Sequence, residues 1–398
     1  MEVNLDAAKW RRRRGVARLL RALGADQGLT RYVGGAVRDG LLGLPVSDID
    51  LATRIRPLEV VERLERAGIK AVPTGIAHGT VTAVSDGQPV EITSLRRDVS
   101  TDGRRATIAF TDDWMEDAAR RDFTMNALSA DPKTGELFDY FGGLADLEAR
   151  RVRFIGEAFE RIAEDHLRIL RFFRFHARFG SGEPDAAALA ACTARAKDLM
   201  ALSRERIADE LLKLLGLPDP APTVTLMLDR EILAPVLPEI EPSAVASLER
   251  AIAAEREAQA APDALRRLAA LLPPDPLQAE KVAARLKLSN KARKRLGCAV
   301  ASELGANPEA LAYRVGTDCA VDRLLLAGEP AKAALITGWR VPKLPIGGGK
   351  LIARGMPEGP AVARTLREIE DRWVEAGFPH GEAFERIVAD ALAAASAR

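Results

Sequence analysis

The stretch YVGGAVRDGLLGLPVSDIDLAT, residues 32–53, joins two adjacent glycines, an arginine and, further along, two aspartates separated by one isoleucine. YVGG predicts a strand that ends in a turn, where missing side chains let backbone N–H groups approach a ligand. The following AVRDGLLG predicts a helix whose positive end faces that turn and favours a phosphate. Gly34 and Gly35 are therefore candidate phosphate-binding residues, and Arg38 would add a charge-assisted contact to the same anion.

The two aspartates lie in SDIDLAT, which predicts a second strand. Because side chains alternate between the faces of a strand, we expect Asp48 and Asp50 to share one face while Ile49 and Leu51 point into a core. Two neighbouring carboxylates coexist most readily with a divalent cation between them, and oxygen ligands suit Mg²⁺. Taken alone, each motif is more often a simple turn or a solvated acidic pair, but their combination favours a metal and phosphate site.

Composition limits the possible classes of protein. A chain of 398 residues with 47% hydrophobic residues predicts at least two domains. No run approaches the ~18 apolar residues of a membrane span, and no secretory signal is recognisable, so we expect a cytoplasmic protein. The three scattered cysteines and four histidines argue against a disulfide framework or a zinc site and favour reduced, structural cysteines. With a formal net charge of +1, any nucleic-acid surface must be a local patch.

The predicted secondary structure changes along the chain. From about residue 29 to 140, β-rich segments such as TRYVGG, IDLAT, GTVTAV, VEITSL and ATIAF alternate with turn residues and one helical run, RPLEVVERLERAG. Beyond GELFDYFGGLADL, segments such as SRERIADELLKLLG carry apolar residues at helical spacing. The pattern predicts an α+β fold: a small mixed sheet followed by an all-helical remainder.

The segment EDHLRILRFFRF, residues 164–175, carries charges on an otherwise apolar helical pattern. On one continuous helix, Asp165 and Arg168 would be neighbours on one face, with Arg171 and Arg174 continuing the line. Exposed Asp–Arg pairs are common and weak, but charges on a buried helix need partners. A nucleotide base and a triphosphate would supply them.

Together, the glycine turn with its aspartates, RRDFTMNALS at residues 120–129 and EDHLRILRFFRF resemble the class II CCA-adding enzymes and bacterial poly(A) polymerases. These are template-independent nucleotidyltransferases of the polymerase β superfamily. The resemblance covers about the first 215 residues and returns in LPIGGGKLIARGMPEGPAVARTLREIEDRW, which is similar to the family's C-terminal RNA-binding region. It implies an N-terminal helix (1–28), a polymerase β-like catalytic head (29–140), a neck that recognises the base (141–215), and a body and tail that bind tRNA (216–398).

The resemblance also implies roles for individual residues. Asp48 and Asp50 would bind two Mg²⁺ ions that align an RNA 3′-hydroxyl with the α-phosphate of the incoming nucleotide. Gly34, Gly35 and Arg38 would hold the triphosphate. A third carboxylate is usual in the superfamily, and Glu91 matches because it projects from a strand opposite apolar neighbours. An ordinary exposed strand glutamate is the alternative for Glu91.

In the family, the Arg–Asp pair of RRDFTMNALS reads the ribose hydroxyl and its asparagine helps hold the nucleotide. The matching residues here are Arg121, Asp122 and Asn126, and a helix cap with a local salt bridge is the alternative. Asp165 would accept a hydrogen bond from the exocyclic amine of cytosine or adenine, and Arg168 would donate to the ring acceptors. The remaining two arginines of the motif, Arg171 and Arg174, would lean toward phosphate.

CCA addition and poly(A) addition use the same parts. The segment RRDVSTDGRRATIAFTDDWMEDAARRDFT resembles the flexible loop of CCA-adding members, which favours addition of CCA to tRNA 3′ ends from CTP and ATP. LSRERIADELLKLL resembles the helix that caps the family's pocket. A poly(A) polymerase is the enzymatic alternative. An RNA-binding module with a decayed head is the non-enzymatic one, and the intact aspartates and glycines oppose it.

Overall fold

The computed structural model describes Leu5, Trp10 and residues 15–101, 106–305 and 307–396. These residues form two compact units. The first contains the described residues up to Glu210 together with Asp229–Val236, and the second contains Leu211–Leu228 and the described residues from Leu237 onward. The domain limits predicted at residues 28, 140 and 215 stay predictions.

The first unit contains all the strands of the described chain. They are β1 Thr30–Val33, β2 Asp50–Thr53, β3 Lys70–Gly75, β4 Thr80–Ser85, β5 Gln88–Ser94, β6 Arg96–Thr101, β7 Ala106–Phe110, β8 Ser129–Ala130 and β9 Leu137–Phe138. Seven of them form one sheet in the order β3-β4-β5-β2-β1-β8-β9, and β6 pairs with β7 in a separate hairpin. Only β2 and β5 run parallel, so the sheet is mixed, as the sequence predicted.

Besides its strands, the first unit contains α-helices. They are α1 Val16–Ala22, α2 Gly35–Leu41, α3 Pro57–Arg66, α4 Trp114–Ala119, α5 Gly143–Glu148, α6 Ala158–Glu164, α7 Arg168–Phe179 and α8 Ala186–Ala194. Short 3₁₀ helices span Ala25–Gln27, Ile76–His78, Thr124–Asn126 and Ala196–Ala201. Of the predicted N-terminal helix, the structure shows α1, and residues 1–4, 6–9 and 11–14 lie outside the described part.

The parallel pair β2 and β5 forms the centre of the sheet. Leu51 on β2 and Ile92 on β5 are register partners and are almost completely buried. The same register places Asp50 beside Glu91 at the start of β2. Glu91 is exposed between buried Val90 and Ile92, which confirms its predicted position on the strand. Alternating burial in β5 therefore directs the apolar residues into the core and Glu91 away from it.

The prediction of one continuous helix through EDHLRILRFFRF was wrong. Helix α6 ends at Glu164, Asp165 adopts an extended conformation with φ of −152°, and α7 begins at Arg168. The Asp165 carboxylate accepts a hydrogen bond from the Leu167 N–H at 3.1 Å. A short acidic side chain that binds nearby backbone in this way competes with helix hydrogen bonding, which accounts for the break. Asp165 and Arg168 therefore do not lie on one helix face.

The second unit is helical throughout its described residues. Helices α9 Arg204–Leu215 and α10 Ala221–Asp229 each have residues in both units. The helices that follow lie in the second unit and are α11 Ala244–Glu257, α12 Ala264–Leu271, α13 Pro276–Arg285, α14 Asn290–Ala299, α15 Pro308–Val315, α16 Thr317–Leu326, α17 Pro330–Ile336, α18 Gly348–Ala353, α19 Pro360–Glu375 and α20 Glu382–Ser396. Apolar cores form among the later helices, one around Trp373 and Ile369 and one around Leu324 and Ile336. Among the helices of the described chain, none has the length and apolar character needed to cross a membrane.

The prediction that the cysteines are reduced was wrong for two of them. Cys298 on α14 and Cys319 on α16 form a disulfide, whereas Cys192 is free and buried. The pairing follows from the side-by-side packing of α14 and α16, which the sequence spacing did not reveal.

Candidate active site

A cavity of about 450 Å³ in the first unit brings together residues from four separated segments. It is lined by Gly34, Gly35, Arg38, Asp50, Arg121, Asp122, Asn126, Asp165, Arg168, Arg171, Arg174 and Phe175. These are all the predicted site residues except Asp48 and Glu91, together with Phe175, which the sequence did not single out. The motifs after β1, at the start of β2, after α4 and around α7 therefore meet at one place.

The glycine turn lies between β1 and α2. Gly34 has φ of 65° and ψ of −130°, a conformation that favours glycine. A Cβ at this position would also lie 3.1 Å from Nη1 of Arg121. Gly34 thus lets the Arg121 guanidinium approach the turn, and Gly35 begins α2 beside it.

Arg38 is buried, with 5% of its surface exposed, and its guanidinium points to two partners. Its Nε donates to Asp39 at 2.8 Å, and its Nη1 donates to the side-chain oxygen of Asn126. Burial lowers the pKa of Arg38, and the neighbouring Asp39 opposes that shift. Arg178 also donates to Asp39, at 3.2 Å, so this aspartate, which the motif did not single out, holds two arginines.

Asp50 lines the cavity at the start of β2, and its acidic neighbours Glu91 and Asp48 lie outside that lining. Burial, the nearby Glu91 and, more weakly, Asp48 raise the pKa of Asp50 to about 6. The prediction that Asp48 and Asp50 share a strand was wrong for Asp48, because β2 begins only at Asp50 and Asp48 is exposed in the segment before it. Its carboxylate accepts from the Ser47 hydroxyl at 2.8 Å.

No group of three or more acidic, histidine or cysteine side chains in the described chain is arranged as a metal site. The donor chemistry nevertheless fits a hard cation, because Asp50 and Glu91 are register partners on adjacent strands and Asp48 is two residues away. Burial is the main cause of the raised pKa of Asp50, and the like charges of Glu91 and Asp48 add to it.

Asp122 is buried and all of its acceptor capacity is in use. One oxygen accepts from the Phe123 N–H at 2.8 Å and the Asn126 amide at 2.9 Å. The other accepts from Nε and Nη2 of Arg171 at 2.8 and 2.6 Å. Although burial alone would raise the pKa of Asp122, Arg171 and the hydrogen bonds lower it. Asp122 therefore forms a salt bridge, but its partner Arg171 lies 49 positions along the chain, so this is not the local salt bridge of the alternative interpretation. A ribose hydroxyl would have to displace one of these donors.

Asp117 was not identified from the sequence, yet it connects three parts of the site. Its carboxylate accepts from Nε of Arg120 at 2.8 Å, from Nη2 of Arg121 at 3.3 Å and from the backbone N–H of Arg96 at 3.3 Å. Burial opposes ionisation, but the two guanidiniums lower the pKa of Asp117. Asp117 thus fixes Arg121 beside Gly34 and holds the start of the β6–β7 hairpin, whose residues 102–105 lie outside the described chain.

Asp165 and Arg168 line the cavity but are not paired with each other. The second oxygen of Asp165 accepts from Nη2 of Arg206 on α9 at 2.7 Å. Arg168 donates to Glu164 at 2.7 Å, to the Arg161 carbonyl at 3.1 Å and to the Arg120 carbonyl at 3.0 Å. The break between α6 and α7 separates the two side chains, and each finds its partner elsewhere.

Arg171 and Arg174 lie on α7 and share the buried Glu210 of α9. Arg174 Nε donates to Glu210 at 2.6 Å, and Arg171 Nη1 lies 3.6 Å from the same carboxylate. Both guanidiniums also lie near the ring of Phe175, at 4.6 Å for Arg174 and 5.3 Å for Arg171. Glu210 and Phe175 therefore orient the arginines that face the cavity, although no local sequence signal identified either residue.

The charge of the cavity wall favours an anionic ligand. Five arginines and three aspartates line it, so positive side chains are in excess. The carboxylates provide hydrogen-bond acceptors, and the guanidiniums suit phosphate oxygens. A molecule that combines a polyphosphate with a base carrying an amine matches this set.

Comparison with known proteins identifies the family. Residues 30–153 match the model of the poly A polymerase head domain, and residues 183–243 match the probable RNA and SrmB-binding site of polymerase A. The mouse (Mus musculus) CCA tRNA nucleotidyltransferase 1, mitochondrial, is 34% identical over 368 residues, covering 87% of this chain and 83% of the relative. The chain therefore belongs to the family of CCA-adding tRNA nucleotidyltransferases.

Two solved structures share the fold over nearly the whole chain. The CCA-adding enzyme of Bacillus stearothermophilus in complex with CTP has a TM-score of 0.73 at 25% identity, covering 97% of this chain and 100% of the other. The Thermotoga maritima enzyme complexed with tRNA_CCA has a TM-score of 0.70 at 21% identity, covering 99% and 100%. The predicted nucleotidyltransferase head with its helical continuation is thus confirmed.

Proposed function

We propose that this protein adds cytidine and adenosine to tRNA 3′ ends, using CTP and ATP and releasing pyrophosphate, until the CCA sequence is complete. The observation that carries the proposal is the single cavity in which glycine-turn, carboxylate and arginine motifs meet. The family membership of the chain supports the same activity.

The cavity residues divide by chemistry into three groups. The glycine turn and Arg38 would hold the triphosphate, together with Arg171 and Arg174, because guanidiniums and free N–H groups suit phosphate oxygens. Arg121 would add a further cation close to the turn, and Asn126 would help hold the nucleotide. Asp122 would accept from the ribose hydroxyl if Arg171 moves from it to phosphate, and the 31% exposure of the Arg171 side chain leaves room for that exchange.

Base recognition would rest on Asp165 and Arg168. The carboxylate would accept from the amine that cytosine and adenine share, and the guanidinium would donate to a ring acceptor. Uracil and guanine present a carbonyl oxygen where the amine should be, and two acceptors facing each other repel. The acceptors and donors of the protein would thus replace a nucleic-acid template.

Asp48, Asp50 and Glu91 would hold Mg²⁺, because carboxylate oxygens are the ligands that suit this cation. When bound, the metal would neutralise phosphate charge and help align the reacting groups. The carboxylates supply the negative charge for this site, and the β2–β5 register keeps Asp50 next to Glu91. A solvated Glu91 outside the metal site remains the alternative for that residue.

The poly(A) polymerase alternative is not favoured, since the mouse relative and both solved structures reported above are CCA-adding enzymes by name. The cytoplasmic location stays a prediction, and the mouse relative is mitochondrial by name.

The direct test incubates the purified protein with Mg²⁺ and a tRNA transcript that lacks its last three nucleotides. CTP alone should add two cytidines, and CTP with ATP should add three nucleotides and then stop. A tRNA that already ends in CCA is the control and should gain nothing. A long adenosine ladder on unrelated RNA would instead establish a poly(A) polymerase, and no extension at all would contradict the proposal.

A further inference from the structure

Arg206 is a cationic side chain that contacts the base-reading carboxylate, although neither the motifs nor the family resemblance gives it a role. It lies on α9, 41 residues along the chain from Asp165, and donates to that carboxylate at 2.7 Å. The two side chains are 32% and 29% exposed, so the pair stands at the wall of the cavity rather than deep in a core.

Two donors together set the orientation of Asp165. One oxygen accepts from the Leu167 N–H at 3.1 Å and the other from Arg206. A carboxylate has about four lone-pair positions, so each oxygen keeps capacity for one further donor. Because Asp165 sits in the extended break between α6 and α7, no helical turn holds its side chain. Arg206 is the one side chain that contacts the Asp165 carboxylate by a described hydrogen bond.

We infer that Arg206 is a positioning residue that determines base specificity, acting through Asp165. With one donor on each oxygen, the Asp165 carboxylate would keep a single orientation. A free acceptor position would then face the amine of cytosine or adenine, which would donate a hydrogen bond to it. Without Arg206, the Asp165 carboxylate could rotate away from the base. The protein would then discriminate less strongly against uracil and guanine nucleotides. The inference rests on the proposed function, since it concerns how that activity selects its nucleotides.

Arg168 cannot replace Arg206 in this role. Its guanidinium is committed to Glu164 and to the backbone carbonyls of Arg161 and Arg120. Only 8% of Arg168 is exposed, so these contacts also restrict its movement. Loss of Arg206 would therefore remove the guanidinium that is hydrogen-bonded to the Asp165 carboxylate.

A different result is expected if the Arg206–Asp165 ion pair is purely structural. Pairs with this degree of exposure contribute little to folding stability. If Arg206 only fastened α9, its removal would change the melting temperature slightly and leave nucleotide selection unchanged. A positioning role predicts the reverse, with selection changing more than stability.

The test measures kcat/KM for CTP and UTP on a tRNA primer that awaits cytidine, and for ATP and GTP on one that awaits adenosine. Arg206→Ala should lower the CTP-to-UTP and ATP-to-GTP ratios roughly tenfold, as expected when a charged hydrogen bond that orients the acceptor is lost. Arg206→Lys should recover most of the discrimination, because its ammonium can donate to the same oxygen. Arg204→Ala is the matched control on the same helix and should behave as the wild type.

A double-mutant cycle separates positioning from an independent contact. If Arg206 acts through Asp165, the Asp165→Ala, Arg206→Ala double variant should discriminate no worse than Asp165→Ala alone. Ratios for Arg206→Ala within twofold of the wild type, or additive losses in the double variant, would overturn the inference. Should Arg206→Ala fail to fold, Arg206→Met carries the test, because methionine keeps an apolar stem but has no donor, and wild-type ratios in that variant would likewise overturn the inference.

The same assay distinguishes failure of the proposed function from failure of the positioning role. A wild-type protein that adds no CCA would remove the proposed function. A wild type that adds CCA, with an Arg206→Ala variant that selects nucleotides equally well, would remove only the inference about Arg206.

Discussion

Each of the two units contains a cluster of largely buried arginines and carboxylates, and the clusters differ in whether they open to a cavity. In the second unit, Glu255 accepts from Arg266 at 2.8 Å and from Arg267 at 2.9 Å. Asp322 accepts from Arg266 at 2.9 Å and from Arg295 at 2.7 Å, and Arg295 also donates to Asp263 at 2.8 Å. The cluster has equal numbers of arginines and carboxylates, and each charge has a partner inside the protein.

The cluster in the first unit is open to a cavity and has an excess of arginines over aspartates along its wall. Burying charges without compensation is costly, so a balanced cluster indicates a structural role. Carboxylates behind that wall pair with its arginines; they are Asp39, Asp117, Glu164 and Glu210. The open cluster therefore differs from the balanced one in the guanidinium and carboxylate groups that it presents to a cavity. We expect the balanced cluster to serve stability and the open cluster to bind a ligand.

The largest effect should come from Asp50→Asn, which removes a proposed metal ligand from the open cluster. Nucleotide addition should fall by roughly 10³-fold or more, because charge neutralisation and alignment are lost together. Stability should hold or rise, since burial and Glu91 already disfavour the charged Asp50. Single-turnover addition of CTP and thermal unfolding measure the two effects.

Asp86→Asn is the matched control for that substitution, because Asp86 lies in an exposed turn between β4 and β5. It should leave both activity and stability near the wild type. Near-normal activity in folded Asp50→Asn would remove the assignment of Asp50 to the metal site.

The next effect concerns stability and tests the balanced cluster. Glu255→Gln should lower the free energy of unfolding by about 3–5 kcal/mol, because Arg266 and Arg267 would keep buried charges with a weakened partner. Urea unfolding of the variant measures the loss. Glu257→Gln, at an exposed position of the same helix, is the control. Equal unfolding free energies for the two variants would contradict a structural role for the balanced cluster.

The smallest effect should be that of Asp122→Ala on sugar selection. The preference for CTP over dCTP should fall by about 1–3 kcal/mol, because an acceptor for the 2′-hydroxyl is lost. Competition between the two nucleotides measures the ratio. Stability should also fall, since Arg171 and Asn126 lose their shared acceptor. If stability falls while the ratio is unchanged, Asp122 belongs to the structural part of the network.

Local sequence patterns determined much of this protein. β-Rich segments between turn residues identified β4 and β5, and the glycine pair followed by AVRDGLLG located the turn before α2. Family motifs in the sequence identified most of the residues that line the cavity. These features depend on neighbouring residues, whose backbone preferences and side-chain directions follow from the chain itself.

Tertiary structure decided the partners. Arg206 contacts Asp165, Glu210 contacts Arg174, and Cys298 bonds to Cys319, each across 21 or more positions of the chain. No periodicity encodes such pairs, because they form only when separate helices pack side by side. The same holds for the break at Asp165, where a side-chain hydrogen bond and a distant arginine prevail over helical spacing. The sequence thus determined which chemical groups the site contains, and packing decided which of them face one another.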